Sequence, residues 1–213
     1  MTNPRNKSDK ISQTTKTLCS DMFLQNEYGY KEQAITDAMT KGNLCESDSR
    51  ILIKNVIGGE FRKRFAERLS NDFIIGTPDI VLQKEDVVED IKNSFTLKTF
   101  HNADLAKAYY WQGQGYLWLT GKSNYRLIYT LNKTPESMIL EQKKRYYFKF
   151  DCDESNEDYL AISAQIDLNN DLIDRIPLSD RVKVFNFIRN DDEIELLKNR
   201  IGDAREYYKT LKL

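Results

Sequence analysis

Apolar side chains recur along the chain with two different spacings, and the changes between them outline the elements. Ala34, Ile35, Ala38 and Met39 fall at helical spacing, which predicts a helix over 30–40. Gly42 interrupts it, and a second helical stretch runs from about 44 to 57 before Gly58-Gly59 ends it. From Phe61 the pattern becomes strand-like. Residues 61–69 read as an arginine-rich strand turned by Ser70-Asn71-Asp72, 73–83 as its return, and 87–94 as a third strand after the polar turn Lys84-Glu85-Asp86. Three such strands in succession predict a β-meander.

Residues 102–120 carry a strong helical pattern, with Asn102 as N-cap, Asp104 in the first turn and Gly121 as the stop. A strand over 125–131 follows. Thr134-Pro135-Glu136 then supplies a cap, a proline at the first helical position and an acid in the first turn. The acidic stretch 151–158 precedes a helix reaching to about 170, 181–189 reads as a strand, and 191–209 as a final helix. The opening residues 1–20 are polar, mildly basic and poor in large apolar side chains, so they read as a flexible N-terminal arm. This order predicts one α/β core over 21–150 with a mostly helical C-terminal extension, 151–213, packed on it.

Composition agrees with a folded chain of that size. Of 213 residues, 40% are hydrophobic and 31% charged, enough for a sizeable core and unlike a disordered chain. Cys19, Cys45 and Cys152 lie far apart with no CxxC pair, which argues against a disulfide framework and fits a reducing cytoplasm. No apolar run approaches the roughly 20 residues that span a bilayer, and no signal peptide opens the chain, so no membrane partner is expected. The net charge of −1 hides an asymmetry: the first 150 residues sum to +5 and the last 63 to −6. A near-neutral total therefore does not exclude a nucleic-acid partner.

The chemistry gathers on the predicted hairpin. Asp79 closes Gly76-Thr77-Pro78-Asp79, and Asp90-Ile91-Lys92 follows eleven residues later. Side chains i and i+2 of a strand share a face, so Asp90 and Lys92 project one way and Ile91 the other. An antiparallel neighbour carrying Asp79 brings it close enough to share a site. Gly76 and Pro78 do not suit regular pairing and predict a bend or bulge beside it. Phosphodiester hydrolysis calls for a hard cation, and Mg²⁺ takes a couple of carboxylates while keeping room for water and substrate. A lysine alongside can position or deprotonate the attacking water, or stabilise developing charge. A solvated hairpin also carries Asp-x-Lys, so this spacing alone does not decide.

Gly-x-Pro-Asp followed across a hairpin by Asp-x-Lys resembles the PD-(D/E)XK nuclease superfamily. Gly42-Asn43-Leu44-Cys45-Glu46, a Gly-x-x-x-Glu element, and Gln112-Gly113-Gln114-Gly115-Tyr116, a Gln-x-x-x-Tyr element, are similar to those of its RecB-like and YqaJ-like branch, the group of phage lambda exonuclease. The resemblance spans roughly 41–121 and implies a restriction-endonuclease-like core, a central mixed β-sheet flanked by helices. It implies Glu46, Asp79 and Asp90 as ligands of one or two Mg²⁺ or Mn²⁺ ions, joined by the Ile91 carbonyl, with Lys92 as the catalytic lysine. Gln112 and Tyr116, one helical turn apart, would line the site or touch substrate. Ser94, on the strand face of Lys92, is a further candidate for contact with the scissile phosphate. The activity implied is a metal-dependent DNA nuclease, favoured as a phage-type exonuclease on linear duplex ends in recombination or repair. Expected partners are DNA, a single-strand annealing protein and copies of the same chain in a homo-oligomer. A structure-specific or restriction-type endonuclease and a catalytically silent nucleic-acid-binding module are the alternatives; the intact Asp79, Asp90 and Lys92 argue against silence. Three cysteines are too few for the four-cysteine iron–sulfur cluster of some RecB-like relatives.

Other residues carry weaker signals. Glu89 falls on the strand face opposite Asp90 and is not expected as a ligand. Arg62, Lys63, Arg64 and Arg68 read as a solvated strand face, with contact to a phosphate backbone as the sharper alternative. Gly113 and Gly115 each cost about 1 kcal/mol against alanine inside a helix, which implies close approach by packed side chains, a strand or DNA. Tyr109, Tyr110, Trp111 and Trp118 are expected in the core, and His101 at the surface or at a cap.

Overall fold

The computed structural model describes residues 9–32, 34–150 and 155–213. Its elements are α1 (Gln13–Tyr28), α2 (Asp37–Leu44), α3 (Glu46–Ile57), β1 (Leu69–Ser70), β2 (Ile75–Gly76), β3 (Ile80–Val81) and β4 (Val87–Asn93). They continue with α4 (Leu97–His101), α5 (Lys107–Thr120), β5 (Asn124–Thr130), α6 (Glu136–Phe150), α7 (Glu157–Asp171), β6 (Val182–Ile188) and α8 (Asp191–Tyr208). Among the described residues the strands form a mixed sheet of order β3-β4-β5-β6 and a separate ribbon, β1-β2. β4 and β5 run parallel, while β3 and β6 are antiparallel to their neighbours. Parallel neighbours need a crossover, and α4 and α5 supply it.

Both faces of β4 are covered. Val88 packs under α5 with Leu117, Tyr125 and Leu127, so Val88, Asp90 and Lys92 look toward that helix. On the other face Ile91 joins Ile80, Leu82 and Val87, and the Asn93 amide reaches Ser49 of α3 at 3.0 Å. α5 seats unusually deeply on the sheet: a Cβ at Gly113 would lie 2.4 Å from Phe187 of β6 and 2.9 Å from Tyr125 of β5. Of the close approaches considered for this glycine, packing against strands is the one found.

The mixed α/β layout agrees with the sequence expectation, and the differences are local. Residues 13–20 are not an arm. They belong to α1, which is capped by the Ser12 hydroxyl, buries Thr15 and Cys19, and packs on α8. Residues 1–8 lie outside the described residues. The first helix of the next region starts later than predicted, at Asp37, because Thr36 caps it there. Residues 61–68 form no ladder, and the predicted return strand is broken into β2 and β3 around Thr77-Pro78. Pro78 has no N–H to donate, and a Cβ at Gly76 would stand 2.8 Å from the Tyr116 ring.

The helix predicted from Asn102 is two helices. A capping box between Thr96 and Thr99 starts α4 early, and Asn102 is its C-cap rather than the N-cap of α5. The boundary expected at 150 does not divide the fold either. The C-terminal region is mostly helical, yet β6 pairs with β5 along its whole length and α8 packs on α5. Cys19 and Cys45 are free, buried thiols; Cys152 falls outside the described residues. Among the described residues no helix is long and apolar enough to cross a membrane.

Candidate active site

The pairing of Ile80 with Glu89 sets Asp79 opposite Asp90 at the end of β3. Asp79 is fixed by the Ile91 amide, which donates to its Oδ2 at 2.8 Å. Asp90 is 1% exposed. Burial, and then the charge of Asp79, push its carboxyl up to about 6, with Lys92 pulling partly the other way. Its Oδ2 lies 2.5 Å from the Lys92 ammonium but makes no well-directed hydrogen bond. Asp90 is buried with one lysine and a second carboxylate as its charged neighbours, and this carboxylate pair has the donor chemistry that fits a hard divalent cation.

Lys92 is the charged counterpart. Burial lowers its affinity for a proton, but Asp90 and then Asp79 outweigh that, so its pKa stands above the ordinary lysine value. Its ammonium sits over the Tyr109 ring, 5.0 Å from the centroid. Tyr109, Lys92, Asp79, Ser94 and Glu46 line one cleft of about 530 Å³. Tyr109 was expected in the core. It stands three residues before Gln112 on the same helical face, and that spacing could have marked it.

The expected residues are brought together in part. Glu46 lines the cleft, but its carboxylate is held by Arg50 at 2.6 Å and approached by Arg64 at 3.6 Å. Ser49 of α3 meets Asn93 on the face of β4 opposite Lys92, and Glu46, at the start of the same helix, reaches the cleft from that side. Among the described residues no three His, Cys, Asp or Glu side chains converge as a ready-made metal cage. Gln112 donates to the Tyr116 hydroxyl at 3.1 Å, and Tyr116 packs into the core against Gly76. Burial raises the Tyr116 pKa, with smaller contributions from Asp90 and Asp79. This pair backs the site rather than lining the cleft. Gln114 points away, as expected: it donates to Ile188 O at 2.8 Å and accepts from Asn190 N at 2.9 Å.

Two buried basic groups differ from the sequence reading: Arg62 was expected on a solvated or phosphate-facing strand face, and Lys41 was not singled out. Arg62 is 2% exposed and holds Glu89 with two hydrogen bonds, at 2.8 and 3.1 Å, so it is neither a solvated residue nor a free phosphate contact. Lys41 is fully buried and donates to Phe95 O at 2.9 Å, tying α2 to the turn after β4; burial lowers its pKa to about 8. A larger cavity, about 740 Å³, lies beyond Phe95 between α4, α6 and α7, but it is lined by no carboxylate.

Sheet order, helix placement and the hairpin carboxylates together define a restriction-endonuclease-like α/β fold. The chain shares it with solved exonucleases. The phage-related exonuclease from Haemophilus somnus 129PT matches with a TM-score of 0.76 at 23% identity, over 97% of this chain and 88% of that one. The alkaline exonuclease LHK-Exo from Laribacter hongkongensis matches with 0.62 at 14% identity, over 95% and 84%. LHK-Exo in complex with dAMP gives 0.59 at 13%, over 91% and 79%. No protein-family model and no curated protein matches the sequence. The likeness is one of fold, and it agrees with the branch whose motifs the sequence resembles.

Proposed function

We propose that the chain is a divalent-metal-dependent deoxyribonuclease of exonuclease type that hydrolyses phosphodiester bonds at the ends of linear duplex DNA. The observation that carries the reading is the Asp79–Asp90 pair with Lys92 at its side, Asp79 and Lys92 lining the cleft and Asp90 buried next to them. The fold shared with two exonucleases, one solved with the deoxynucleotide dAMP, supports the same class. Recombination or repair is the setting that the sequence resemblance adds.

Asp79 and Asp90, with the Ile91 carbonyl, would hold Mg²⁺ or Mn²⁺, which supplies charge neutralisation at phosphate oxygens and makes water more acidic. The Ile91 amide keeps Asp79 oriented. Lys92, protonated in the metal-free site, donates to a phosphate oxygen or orients the attacking water. Once Asp79 and Asp90 are neutralised, the attraction that holds its proton weakens, and the same lysine can accept one. Ser94 is assigned to the phosphate, and Gln112 with Tyr116 to supporting the α5 wall. Glu46 is left outside the ligand set because Arg50 and Arg64 already hold its carboxylate.

The test compares purified protein on linear duplex, closed circular duplex and single-stranded DNA, with Mg²⁺, Mn²⁺ or chelator. Digestion of linear duplex only, abolished in Asp90→Ala, is the expected result. Cutting of closed circles would make it an endonuclease. No metal-dependent cleavage of any of the three, or full activity in Asp90→Ala, would overturn the reading.

A further inference from the structure

Residues 61–68 form a strap that belongs to no helix or strand and passes the cleft at Arg64, beside Glu46. The strap is pinned at two points, and both pins are neighbours of the candidate carboxylates. The Arg62 guanidinium is buried on Glu89, the residue before Asp90. The Phe65 amide donates to the backbone carbonyl of Asp79 itself at 2.8 Å. The position of the strap is therefore set by the same hairpin that carries the site.

Between and beyond the pins, Lys63, Arg64 and Arg68 turn outward and are exposed. The Arg64 side chain keeps 70% of its surface in solvent while its Nε stands 3.6 Å from Glu46 Oε1, which places it at the mouth of the cleft. Among the described residues no carboxylate pairs with Lys63 or Arg68. The notion of one arginine-rich face thus separates into two. Arg62 is structural, and the other three are exposed cations near the cleft, with Glu46 beside Arg64 and the exposed Glu67 between Arg64 and Arg68 as the nearby acids.

We infer that Lys63, Arg64 and Arg68 form a track for the phosphate backbone of DNA entering the cleft, an inference that rests on the nuclease reading. A polyanion suits exposed cations whose position is fixed by the hairpin that carries the carboxylates. Each phosphate contact releases condensed counterions, so such a track has a measurable signature: binding that weakens steeply with salt. Because the strap is anchored through Arg62 and backbone, removing the outward charges leaves the anchors in place.

The experiment measures fluorescence anisotropy of a short fluorescein-labelled linear duplex in chelator, across about 50 to 200 mM salt. Lys63→Gln/Arg64→Gln/Arg68→Gln is compared with wild type and with Lys144→Gln/Lys209→Gln/Lys212→Gln, which removes the same charge elsewhere on the surface. Circular dichroism and a thermal melt establish that both variants are folded. The strap variant is expected to raise Kd at least about tenfold and to lower the slope of log K against log salt by about 2 to 3, while the control changes neither. Equal losses in both variants, or an unchanged Kd and slope in the strap variant, would overturn the track. A wild type that binds duplex in this way yet never cleaves would remove the nuclease reading and leave the track standing. A wild type that binds no DNA would remove both.

Discussion

Glu89 and Asp90 are consecutive residues on β4, both buried, and the protein answers their charges in opposite ways. Glu89 accepts from Arg62 at 2.8 and 3.1 Å and from Arg126 at 3.1 Å. Asp90, on the other face, meets a second carboxylate and a single lysine. One strand thus carries a neutralised charge toward the strap and an under-neutralised one toward the cleft. The first is a structural device; the second is a buried carboxylate pushed upward by burial and a like charge, a pattern concentrated at functional sites.

The pH dependence of stability follows from Asp90. Its native pKa of about 6 lies above the ordinary 3.8, so the folded protein holds this proton more tightly than the unfolded chain. The contribution is full below about pH 4 and is lost as pH rises through about 6. Asp90→Asn mimics the protonated form. In chelator it is expected to stabilise the protein at about pH 8 by on the order of 2–3 kcal/mol, with no gain near pH 4. Asp37, Asp86 and Asp171 are shifted downward and oppose this trend, so the informative quantity is the difference between variant and wild type. A difference that stays flat across pH would refute it.

Cation binding is expected to show the complementary behaviour. Mn²⁺ or Mg²⁺ should raise the wild-type Tm near pH 8, by the equivalent of about 2.7 kcal/mol at a hundredfold excess over Kd. The gain should fade as protons compete below about pH 6 and be absent in Asp90→Asn. Differential scanning fluorimetry reads all three arms.

Arg62→Ala is expected to cost about 3 kcal/mol, because Glu89 would stay buried with only Arg126 beside it. Urea denaturation measures the loss as a lower midpoint. A change under about 0.5 kcal/mol would mean that the pair is solvated rather than buried.

Gly113→Ala sets two effects against each other. Helix propensity favours alanine by about 1 kcal/mol. The new methyl would meet Phe187 at 2.4 Å, in a ring stacked on Tyr125 at 4.7 Å, and overpacking of that kind costs about 1–3 kcal/mol. Net destabilisation is expected in a thermal melt; a stabilised variant would show that α5 can lift off the sheet freely.

Tyr109 is expected to act through its ring. Tyr109→Phe keeps the surface under the Lys92 ammonium and should retain most cleavage. Tyr109→Leu removes it and should slow cleavage by about fivefold to thirtyfold, the range of a partly desolvated cation–π contact. If both variants lose activity equally, the hydroxyl is the working part instead.

The hairpin was legible because a period of two puts Asp90 and Lys92 on one face and a short turn brings the Asp79 strand beside them. The register that sets Asp79 opposite Asp90 came from the structure. Gly113 was legible as a close approach, since helical glycine is otherwise costly, although what approaches it is Phe187, far away in the chain; Gly115 meets only Ile74, at 3.4 Å. Arg62 was not legible. Its partner lies 27 residues on, and whether an arginine in a basic run turns inward depends on a buried acid that only tertiary packing creates. α1 was missed for a related reason. It buries only Thr15 and Cys19, so its apolar pattern is faint, and its place is set by α8 at the opposite end of the chain. The approach of Glu46 from the far side of β4 was invisible too, because local spacing does not say which face of a sheet a helix covers.

The position of β6 has a consequence for how the protein is made. Every residue proposed for chemistry has been synthesised by Tyr116, yet α5 cannot seat at that point. Phe187 fills the surface against which Gly113 closes, and Gln114 finds its partners at Ile188 and Asn190. Until those residues are translated, the helix that carries Tyr109 has no fixed seat, and the wall of the cleft beside Lys92 is missing. On a growing chain, therefore, the wall beside Lys92 closes only after β6 has been made, about 70 residues after α5 itself.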